Sequence, residues 1–277
     1  MQTPSRRAVD LGGVRVELIR AGTFRSDAGA IFGPVPRTTW EPIVRDELDT
    51  AARLNQALNL LVVETAERVL LLESGMLPAG EARDDAEVSS VSAREALLAA
   101  NVDPGRIALI VPSHLHRDHA GGLVDGSGAA AFPRAEVIAP RREIDAVASD
   151  SLRARAAYDT ARLRPLFAAR TPRTFESSEH PDPRVELRRL GGHTPGSQAT
   201  IIRGREQTLL FLGDLFMRPW QANPRWVTAY DDEAWISVDA KRSIFAEAAH
   251  HGWLVALSHE VDVPLRSEEH TSELQSH

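Results

Sequence analysis

The chain has 277 residues, of which 43% are hydrophobic and 26% are charged, so its composition excludes an intrinsically disordered protein and supplies enough apolar mass for a large core. It contains no cysteine, which excludes disulfide bonds and thiolate metal sites, and any bound metal must use His, Asp or Glu. The formal net charge of −7 disfavours a phosphate-binding surface, so we expect no nucleic-acid partner.

The predicted elements are strands interspersed with helices. Apolar runs of strand length occur at residues 14–19, 58–63, 69–72, 107–111, 136–139, 185–190, 199–202, 209–212 and 254–257. Helices are predicted at 93–100, where Ser92 and Glu95 form a capping box, from 143 to about 166, and at 239–251 before Gly252. This pattern predicts a mixed α/β protein.

Two segments do not follow this pattern. Residues 20–45 hold Gly, Pro and aromatic residues without a clear period, which predicts a long surface segment that covers part of the molecule. Residues 266–277 are polar and aperiodic and resemble the translation of a DNA-sequencing adapter, which implies a gene from a metagenomic library. We therefore assign one domain to residues 1–265 and a non-native tail to residues 266–277.

The sequence also bears on the location of the protein. No apolar stretch approaches the roughly 20 residues that cross a bilayer. The best apolar run, residues 58–63, has only the length of a strand, and the N-terminal residues lack the apolar run of an export signal. We therefore expect a cytoplasmic protein with no membrane partner.

Residues with metal-binding chemistry concentrate directly after the predicted strand 107–111. There the chain reads HLHRDHAGG over residues 114–122, which places four ligand-type side chains within six residues: His114, His116, Asp118 and His119. His114 and His116 are two apart on an extended stretch and point the same way, whereas the other two lie where the chain turns. Imidazole and carboxylate suit Zn and also Mn, Fe or Co. One strand end can therefore serve two metal ions.

This segment resembles the His-x-His-x-Asp-His signature of the metallo-β-lactamase superfamily. In that family three further ligands follow downstream, and matching residues occur here in the same order, each just beyond a predicted strand: His193 in GHTPG, Asp214 in LGD and His259 in LSH. The resemblance covers most of residues 14–265. It implies an α/β fold, the four-layered αββα metallo-β-lactamase sandwich.

The resemblance also implies a dinuclear centre, with Zn as the expected metal and Mn, Fe or Co as alternatives. Its ligands would be His114, His116 and His193 for one ion, Asp118, His119 and His259 for the other, and Asp214 as the bridge. Two such ions lower the pKa of a bridging water, so that hydroxide becomes the nucleophile at neutral pH. Asp118 and Asp214 are the candidate catalytic carboxylates. Glu73, where relatives have Asp, is expected to support one of the ligands.

The order and spacing of the motifs most resemble the branch that contains N-acyl homoserine lactonases and organophosphate hydrolases, which implies a small ester-like substrate. In the lactonases a Tyr lies three positions beyond the bridging Asp, whereas this chain has Met217 there. A site walled by apolar side chains would suit aryl esters and phosphotriesters as well as lactones; the candidates are Phe32, Trp40, Phe216, Met217 and Trp220. The expected partner is a small molecule, with a homodimer as an option.

Other functions on the same scaffold stay open. A β-lactamase and a thioester hydrolase of the glyoxalase II type are alternatives within the hydrolases. A mononuclear iron oxidoreductase, similar to the persulfide dioxygenases, is an alternative of another class, because those enzymes share the motif but bind one metal. Metal stoichiometry and colour distinguish the iron enzyme from the hydrolases. A non-catalytic metal-binding module is the third reading, and a measured turnover would exclude it.

Overall fold

Two β-sheets form the centre of the structure, a computed structural model that describes residues 6–78 and 88–266. Within these residues the first sheet contains eight strands: β1 Arg6–Asp10, β2 Arg15–Asp27, β3 Arg53–Glu64, β4 Val69–Leu72, β5 Ser89–Ser90, β6 Ile107–Val111, β7 Glu136–Pro140 and β8 Arg173–Phe175. Strands β1 to β4 pair antiparallel in chain order, and β5 pairs with β2. The sheet continues through β4, β6, β7 and β8 with parallel pairing.

The second sheet contains six strands in the described part of the chain: β9 Ser178–Asp182, β10 Val185–Arg189, β11 Gln198–Arg203, β12 Thr208–Phe211, β13 Leu254–Ala256 and β14 Leu265–Arg266. Their spatial order is β14, β13, β12, β11, β10, β9. Strands β12 and β13 pair in parallel, and the other neighbours pair antiparallel. The parallel pair requires a crossover, because a tight turn can only connect antiparallel strands.

Helices connect the strands on both outer surfaces. Over the same residues the α-helices are α1 Ala28–Phe32, α2 Arg37–Val44, α3 Ala93–Ala99, α4 Arg117–Ala120, α5 Arg141–Ala148, α6 Leu152–Ala157, α7 Thr160–Ala169 and α8 Ala234–His251. Helix α8 is the crossover between β12 and β13. No helix in the described ranges combines the length and apolarity that a membrane span requires.

Three layers of buried apolar side chains hold the sheets and helices together. Leu61 on β3 and Phe211 on β12 belong to the layer between the two sheets. Leu60, the neighbour of Leu61, faces the opposite way because strand side chains alternate, and it packs in the layer that also holds apolar residues of α3 and α7. Leu210 packs with residues of α8 beyond the second sheet. The order helix, sheet, sheet, helix confirms the predicted four-layered αββα sandwich.

Several predicted boundaries agree with the structure. Strands β4 and β6 have the bounds that their apolar runs predict. Helix α3 carries the predicted capping box, with the Ser92 hydroxyl accepting from the Glu95 N–H and the Glu95 carboxylate accepting from the Ser92 N–H. A cap of this kind contributes about 1 kcal/mol to stability. Helix α8 ends as predicted at Gly252, whose φ of 64° is left-handed, but it begins five residues earlier than predicted, at Ala234 instead of residue 239.

The prediction of one helix from 143 to about 166 is wrong, because this region forms the three helices α5, α6 and α7. Ser149 has extended backbone angles, φ −67° and ψ 138°, that end α5. The Ser151 hydroxyl then accepts a hydrogen bond from the Ala154 N–H and begins α6, and Tyr158 is extended after it. Short polar side chains thus form caps here in preference to continuing a helix.

Residues 20–45 lie at the surface as predicted, with most of them exposed or half-buried, but they form regular elements where the sequence shows no clear period. Strand β2 continues to Asp27, and α1 and α2 follow. Phe32 and Trp40 are buried, and their rings stack with centroids 4.8 Å apart. The sequence carries no sign of these helices, because they are held by a small aromatic cluster and lack the period of an amphipathic helix.

The predicted tail lies almost entirely outside the described residues, which end at Arg266. Arg266 itself belongs to β14, where it pairs with Val255. Residue 266 therefore continues the second sheet, and the assignment of a non-native tail stays a prediction for residues 267–277.

Candidate active site

The loop that follows β6 carries four of the predicted site residues. Beyond Val111 the chain runs through His114 to His116, which is extended with φ −62° and ψ 158°. Helix α4 then begins at Arg117 and places Asp118 and His119 on a single helical turn. The local structure is therefore the one predicted, an extended stretch followed by a turn. Each residue lies beyond the carboxyl end of a strand, where open sheets of α/β proteins place their ligands.

The other three predicted residues come from the second sheet. His193 follows β10, Asp214 lies in a 3-10 turn after β12, and His259 follows β13. The turn with Asp214 approaches the first loop closely at Gly213, which has a φ of 53°. A Cβ atom on Gly213 would lie 2.0 Å from the Ser113 Oγ. Glycine is therefore required both by the backbone conformation and by the close contact.

The structure brings all seven predicted side chains together in two adjacent groups. His114, His116 and His193 form one group, and Asp118, His119, Asp214 and His259 form the other; within each group the candidate ligand atoms lie within 4.8 Å of one another. The two oxygens of Asp214 face different groups. Its Oδ1 lies 3.1 Å from His119 Nε2 and 2.9 Å from His259 Nε2, whereas its Oδ2 lies 3.5 Å from His193 Nε2. Asp214 therefore lies between the two groups.

Polar contacts orient four of the five histidine rings through their Nδ1 atoms. The contacts are Ser113 Oγ to His114 at 3.1 Å, Glu73 Oε2 to His119 at 3.1 Å, Asp231 Oδ1 to His193 at 2.9 Å, and the Ala57 carbonyl oxygen to His259 at 2.7 Å. In each case the Nε2 atom is left for the interior of the site. The fifth ring, that of His116, directs Nδ1 towards His193 Nε2 at 3.2 Å. Metal-binding histidines are typically oriented in this way by a partner on the other ring nitrogen.

The buried nitrogens fit metal ions better than they fit each other. The Nε2 atoms of His114, His119 and His259 are buried and make no hydrogen bond within residues 6–78 and 88–266. His119 and His259 approach Asp214 in distance, but without the angle of a hydrogen bond, as expected for donors that converge on a common point. Buried polar atoms normally have a hydrogen-bond partner, so these three unpaired Nε2 atoms fit the role of metal ligands.

The pKa values of the site histidines and of Asp214 depend on burial and on the charged groups around them. Burial, together with the nearby rings of His119 and His116, lowers the pKa of His114 well below its ordinary value. Burial beside His193 lowers the pKa of His116 to about 3. Burial raises the pKa of the Asp214 carboxyl, but His119 and His259 outweigh it and hold this pKa well below the ordinary value. Burial also lowers the pKa of His119, His193 and His259, but the carboxylates Asp214 and Asp231 outweigh it and raise the pKa of all three. The ionised carboxylates therefore attract positive charge to this part of the site, and carboxylate together with imidazole is a donor set that suits divalent metal ions.

Glu73 lies at the position where the sequence predicts a supporting carboxylate, and the structure assigns its partner. Its Oε2 lies 3.1 Å from His119 Nδ1, and its Oε1 accepts a hydrogen bond of 3.1 Å from the Ser113 N–H. Glu73 follows directly after β4 and has a φ of 66°, an uncommon angle for a residue with a side chain. Strain of this kind persists where contacts over-determine it, and here it places a carboxylate beneath the site.

Sequence reasoning missed two carboxylates that hold the site together. Asp231 contacts His193 and also accepts a hydrogen bond of 2.6 Å from Thr228 Oγ1. Glu143 is fully buried and accepts hydrogen bonds from the Leu115 N–H at 2.8 Å and the Gly196 N–H at 3.0 Å. It thereby connects the loops that carry His116 and His193. The run of acidic residues at 231–233 is the one sequence feature that could have pointed to Asp231. No feature of the neighbouring sequence distinguishes Glu143 from other glutamates.

A cavity of about 770 Å³ opens beside the two groups and exposes Asp118, Asp214 and three of the histidines to it. Its other lining residues include Phe24, Gln56, Met76, Tyr158, Met217 and Tyr230. Of the five apolar side chains predicted to wall the site, Met217 lines this cavity. The prediction is wrong for Phe32, Trp40 and Trp220, which pack in a cluster behind Met217, and for Phe216, which packs beneath the second sheet.

The fold and the site together define the class of the protein as a metal-dependent hydrolase. The family model described as the metallo-beta-lactamase superfamily matches residues 56–257. The chain belongs to the metallo-β-lactamase superfamily, as the motif around His114 predicts. No curated protein matches the chain in sequence.

Solved structures share the fold over nearly the whole chain. A probable metal-dependent hydrolase from Staphylococcus aureus has a TM-score of 0.83 and 22% identity, with 94% of each chain covered. AidC, a dizinc quorum-quenching lactonase in complex with a product, has a TM-score of 0.80 and 19% identity, covering 96% of this chain and 94% of its own. The hydrolase AbOPH of the beta-lactamase superfamily has a TM-score of 0.81 and 20% identity, with the same coverage. At these identities the likeness concerns the fold.

Proposed function

We propose that this chain is a dinuclear metallohydrolase that opens lactones and cleaves related small esters. The proposed ligands are His114, His116 and His193 for one ion and Asp118, His119 and His259 for the other, with Asp214 shared between them. The observation that carries this proposal is the position of Asp214, whose two oxygens face the two groups. A carboxylate with one oxygen towards each group can bind both of two neighbouring cations.

The two carboxylates Asp118 and Asp214 have different roles in this proposal. Two divalent ions, when bound, lower the pKa of water and polarise a substrate carbonyl. The Asp118 side chain is 18% exposed towards the cavity, against 9% for Asp214, so Asp118 is the more accessible carboxylate. Asp118 is placed to accept the proton that the attacking water loses and to pass it to the leaving oxygen. Asp214 lies between the two ligand groups and holds them close together.

The cavity supports a small substrate with an apolar part. Its volume lies within the range of about 300–1,000 Å³ that is typical of small-molecule sites. Phe24, Met76 and Met217 offer apolar contacts beside the polar site. Lactonases occur repeatedly among proteins of the same fold, including one described with N-hexanoyl-L-homoserine at its catalytic metal centre. An acyl lactone combines a hydrolysable ring with an apolar chain and so fits both features.

Phosphotriesters are the second candidate substrate class. The lactonase-like position three residues beyond Asp214 holds Met217, which is buried and supplies no hydroxyl. Of the two tyrosines in the cavity, Tyr158 is buried with its hydroxyl near Glu143, whereas Tyr230 is 46% exposed. The thioether of Met217 makes favourable contacts with aromatic rings, so it suits the aryl group of a phosphotriester.

A hydrolysis panel on protein of defined metal content tests this proposal. The substrates are N-hexanoyl homoserine lactone, an aryl ester, a paraoxon-type phosphotriester, a cephalosporin and a glutathione thioester. We expect the lactone to have the highest kcat/KM and the Asp214→Ala variant to lose both metal content and turnover. A faster cephalosporin or thioester would contradict the lactonase assignment. One bound iron with a coloured spectrum would instead indicate the mononuclear oxidoreductase.

A further inference from the structure

We propose that the side-chain amide of Gln56 recognises an amide group in the substrate, and so selects acylamino lactones over esters that only accept hydrogen bonds. This inference rests on the proposed function and deepens it. Gln56 lines the cavity and has 0% exposure. Within the described residues neither its Nε2 nor its Oε1 has a hydrogen-bond partner. A buried carboxamide with both ends unpaired is costly, so the molecule that fills the cavity is the natural partner.

The backbone on each side of Gln56 is held in place by the site itself. The Ala57 N–H donates to the His259 carbonyl oxygen at 3.0 Å, and the Ala57 carbonyl accepts from His259 Nδ1 at 2.7 Å. On the other side, the Asn55 carbonyl accepts a hydrogen bond of 3.2 Å from Arg218. Because Gln56 lies between these two anchored residues on β3, its backbone is fixed beside His259, a member of the second ligand group.

The neighbours of Gln56 connect it to the reacting part of the cavity. Phe24 is its cross-strand partner on β2 and also lines the cavity. The Phe24 ring meets the His259 ring edge to face, with centroids 5.3 Å apart. Phe24, Gln56 and His259 therefore lie together on one side of the cavity. One ligand can contact the metal site and this amide at the same time.

The chemistry of a carboxamide specifies its complement. Gln56 offers one carbonyl acceptor and one NH₂ donor group. A trans secondary amide directs its N–H and its carbonyl to opposite sides, so it pairs with one end of Gln56, and its N–H can donate to Oε1. Phosphotriesters and simple aryl esters have acceptors alone, so they leave Oε1 of Gln56 unpaired. Sites with buried polar groups discriminate strongly against ligands that leave those groups unpaired.

The selectivity test compares Gln56→Leu with the unmodified protein, both loaded with metal. The substrates are N-hexanoyl homoserine lactone and an α-alkyl-γ-butyrolactone of matched chain length, which lacks the amide. We expect the ratio of kcat/KM for the amide lactone to kcat/KM for the amide-free lactone to fall about tenfold, mainly through KM. The thermal midpoint should be unchanged or higher, because the Gln56 side chain makes no hydrogen bond with the described protein that could be lost. An unchanged ratio overturns the proposal.

Thr200 supplies the matched control. Its hydroxyl is also buried and unpaired among the described residues, but Thr200 lies on β11 and does not line the cavity. Thr200→Val should therefore leave the substrate ratio unchanged. If Thr200→Val shifts the ratio as much as Gln56→Leu, the effect is a general response to changes in the core and the proposal is wrong.

A binding measurement separates this inference from the lactonase proposal. Isothermal titration with N-hexanoyl-L-homoserine, the ring-opened amide, requires no turnover. We expect the Kd of Gln56→Leu to be about tenfold higher than that of the unmodified protein. Equal Kd values, or no binding to the unmodified protein, overturn the role of Gln56. Absence of lactone turnover with intact, Gln56-dependent binding would overturn only the proposed function.

Discussion

The carboxylate oxygen Oδ1 of Asp231 lies 2.9 Å from Nδ1 of His193. Asp231 lies at the end of the segment between β12 and α8, whereas His193 follows β10, so the contact joins parts of the chain that are 38 residues apart. Burial raises the pKa of Asp231, but its hydrogen bond with His193 outweighs burial and lowers this pKa below its ordinary value. The ionised carboxylate fixes the tautomer of His193 and directs Nε2 into the site.

Asp231→Ala should therefore weaken metal binding. Without the carboxylate the His193 ring loses its orientation and part of its basicity, and affinity should fall by about 10- to 100-fold. Competition titration with a chromophoric zinc chelator measures the change. Asp232→Asn is the matched control, because the Asp232 carboxylate pairs with Arg153 and not with His193. Equal losses in both variants would show that the Asp231 contact has no special role.

Glu73→Gln should weaken the second ligand group. Oε1 of Glu73 accepts from the Ser113 N–H, and Oε2 lies 3.1 Å from His119 Nδ1, so the NH₂ of a glutamine would either confront the Ser113 N–H or replace the oxygen beside His119. We expect the metal content after dialysis to fall from two ions towards one, measured by elemental analysis. Glu67→Gln, at an exposed carboxylate near the β3–β4 turn, is the control and should retain two ions. Full retention by Glu73→Gln would contradict the supporting role.

Removal of the metals should destabilise the fold. The site gathers five histidines and two carboxylates in the interior, and ions that bind the folded chain stabilise it by about 2.7 kcal/mol when present at 100 times their Kd. We expect chelation to lower the thermal midpoint and abolish hydrolysis. Addition of two equivalents of Zn²⁺ should restore both properties. Recovery that is complete at one equivalent would contradict a dinuclear centre.

Lys241 should make stability depend on pH. Its Nζ donates a hydrogen bond of 2.7 Å to the Trp226 carbonyl, and burial lowers its pKa to about 7. Between this value and the ordinary lysine pKa of about 10.4, the unfolded chain binds more protons than the folded one. The contribution of Lys241 to the free energy of unfolding should therefore rise with pH by up to about 1.4 kcal/mol per unit, and below about pH 7 its burial penalty is fully present.

Urea unfolding of the unmodified protein and of Lys241→Met at about pH 7, 8 and 9 measures this contribution. The stability of the unmodified protein should increase relative to the variant as pH rises, while other groups titrate alike in both proteins. Loss of the hydrogen bond to Trp226 adds a constant to the difference and leaves its slope intact. Parallel pH profiles would contradict a lowered pKa at Lys241.

Local pattern was sufficient for much of the fold. The apolar runs 69–72 and 107–111 predicted β4 and β6 to the residue, because strands buried on both faces are apolar throughout. Pattern was insufficient at residues 143–166, where Ser149 and Ser151 break the helix, and at 20–45, where Phe32 and Trp40 stack. In the first place hydrogen bonds between side chains and backbone outweighed local periodicity, and in the second the packing of aromatic rings did.

For the site, the sequence alone determined the seven residues with ligand chemistry and their family, because each follows a strand and their order is diagnostic. The tertiary structure decided what surrounds them. Asp231 and Glu143 support the site from elements distant in sequence, and Gln56 faces the cavity from a strand that reads simply as core. Ligand types are a property of single residues, whereas burial, hydrogen-bond partners and unpaired atoms arise only when separate segments pack together.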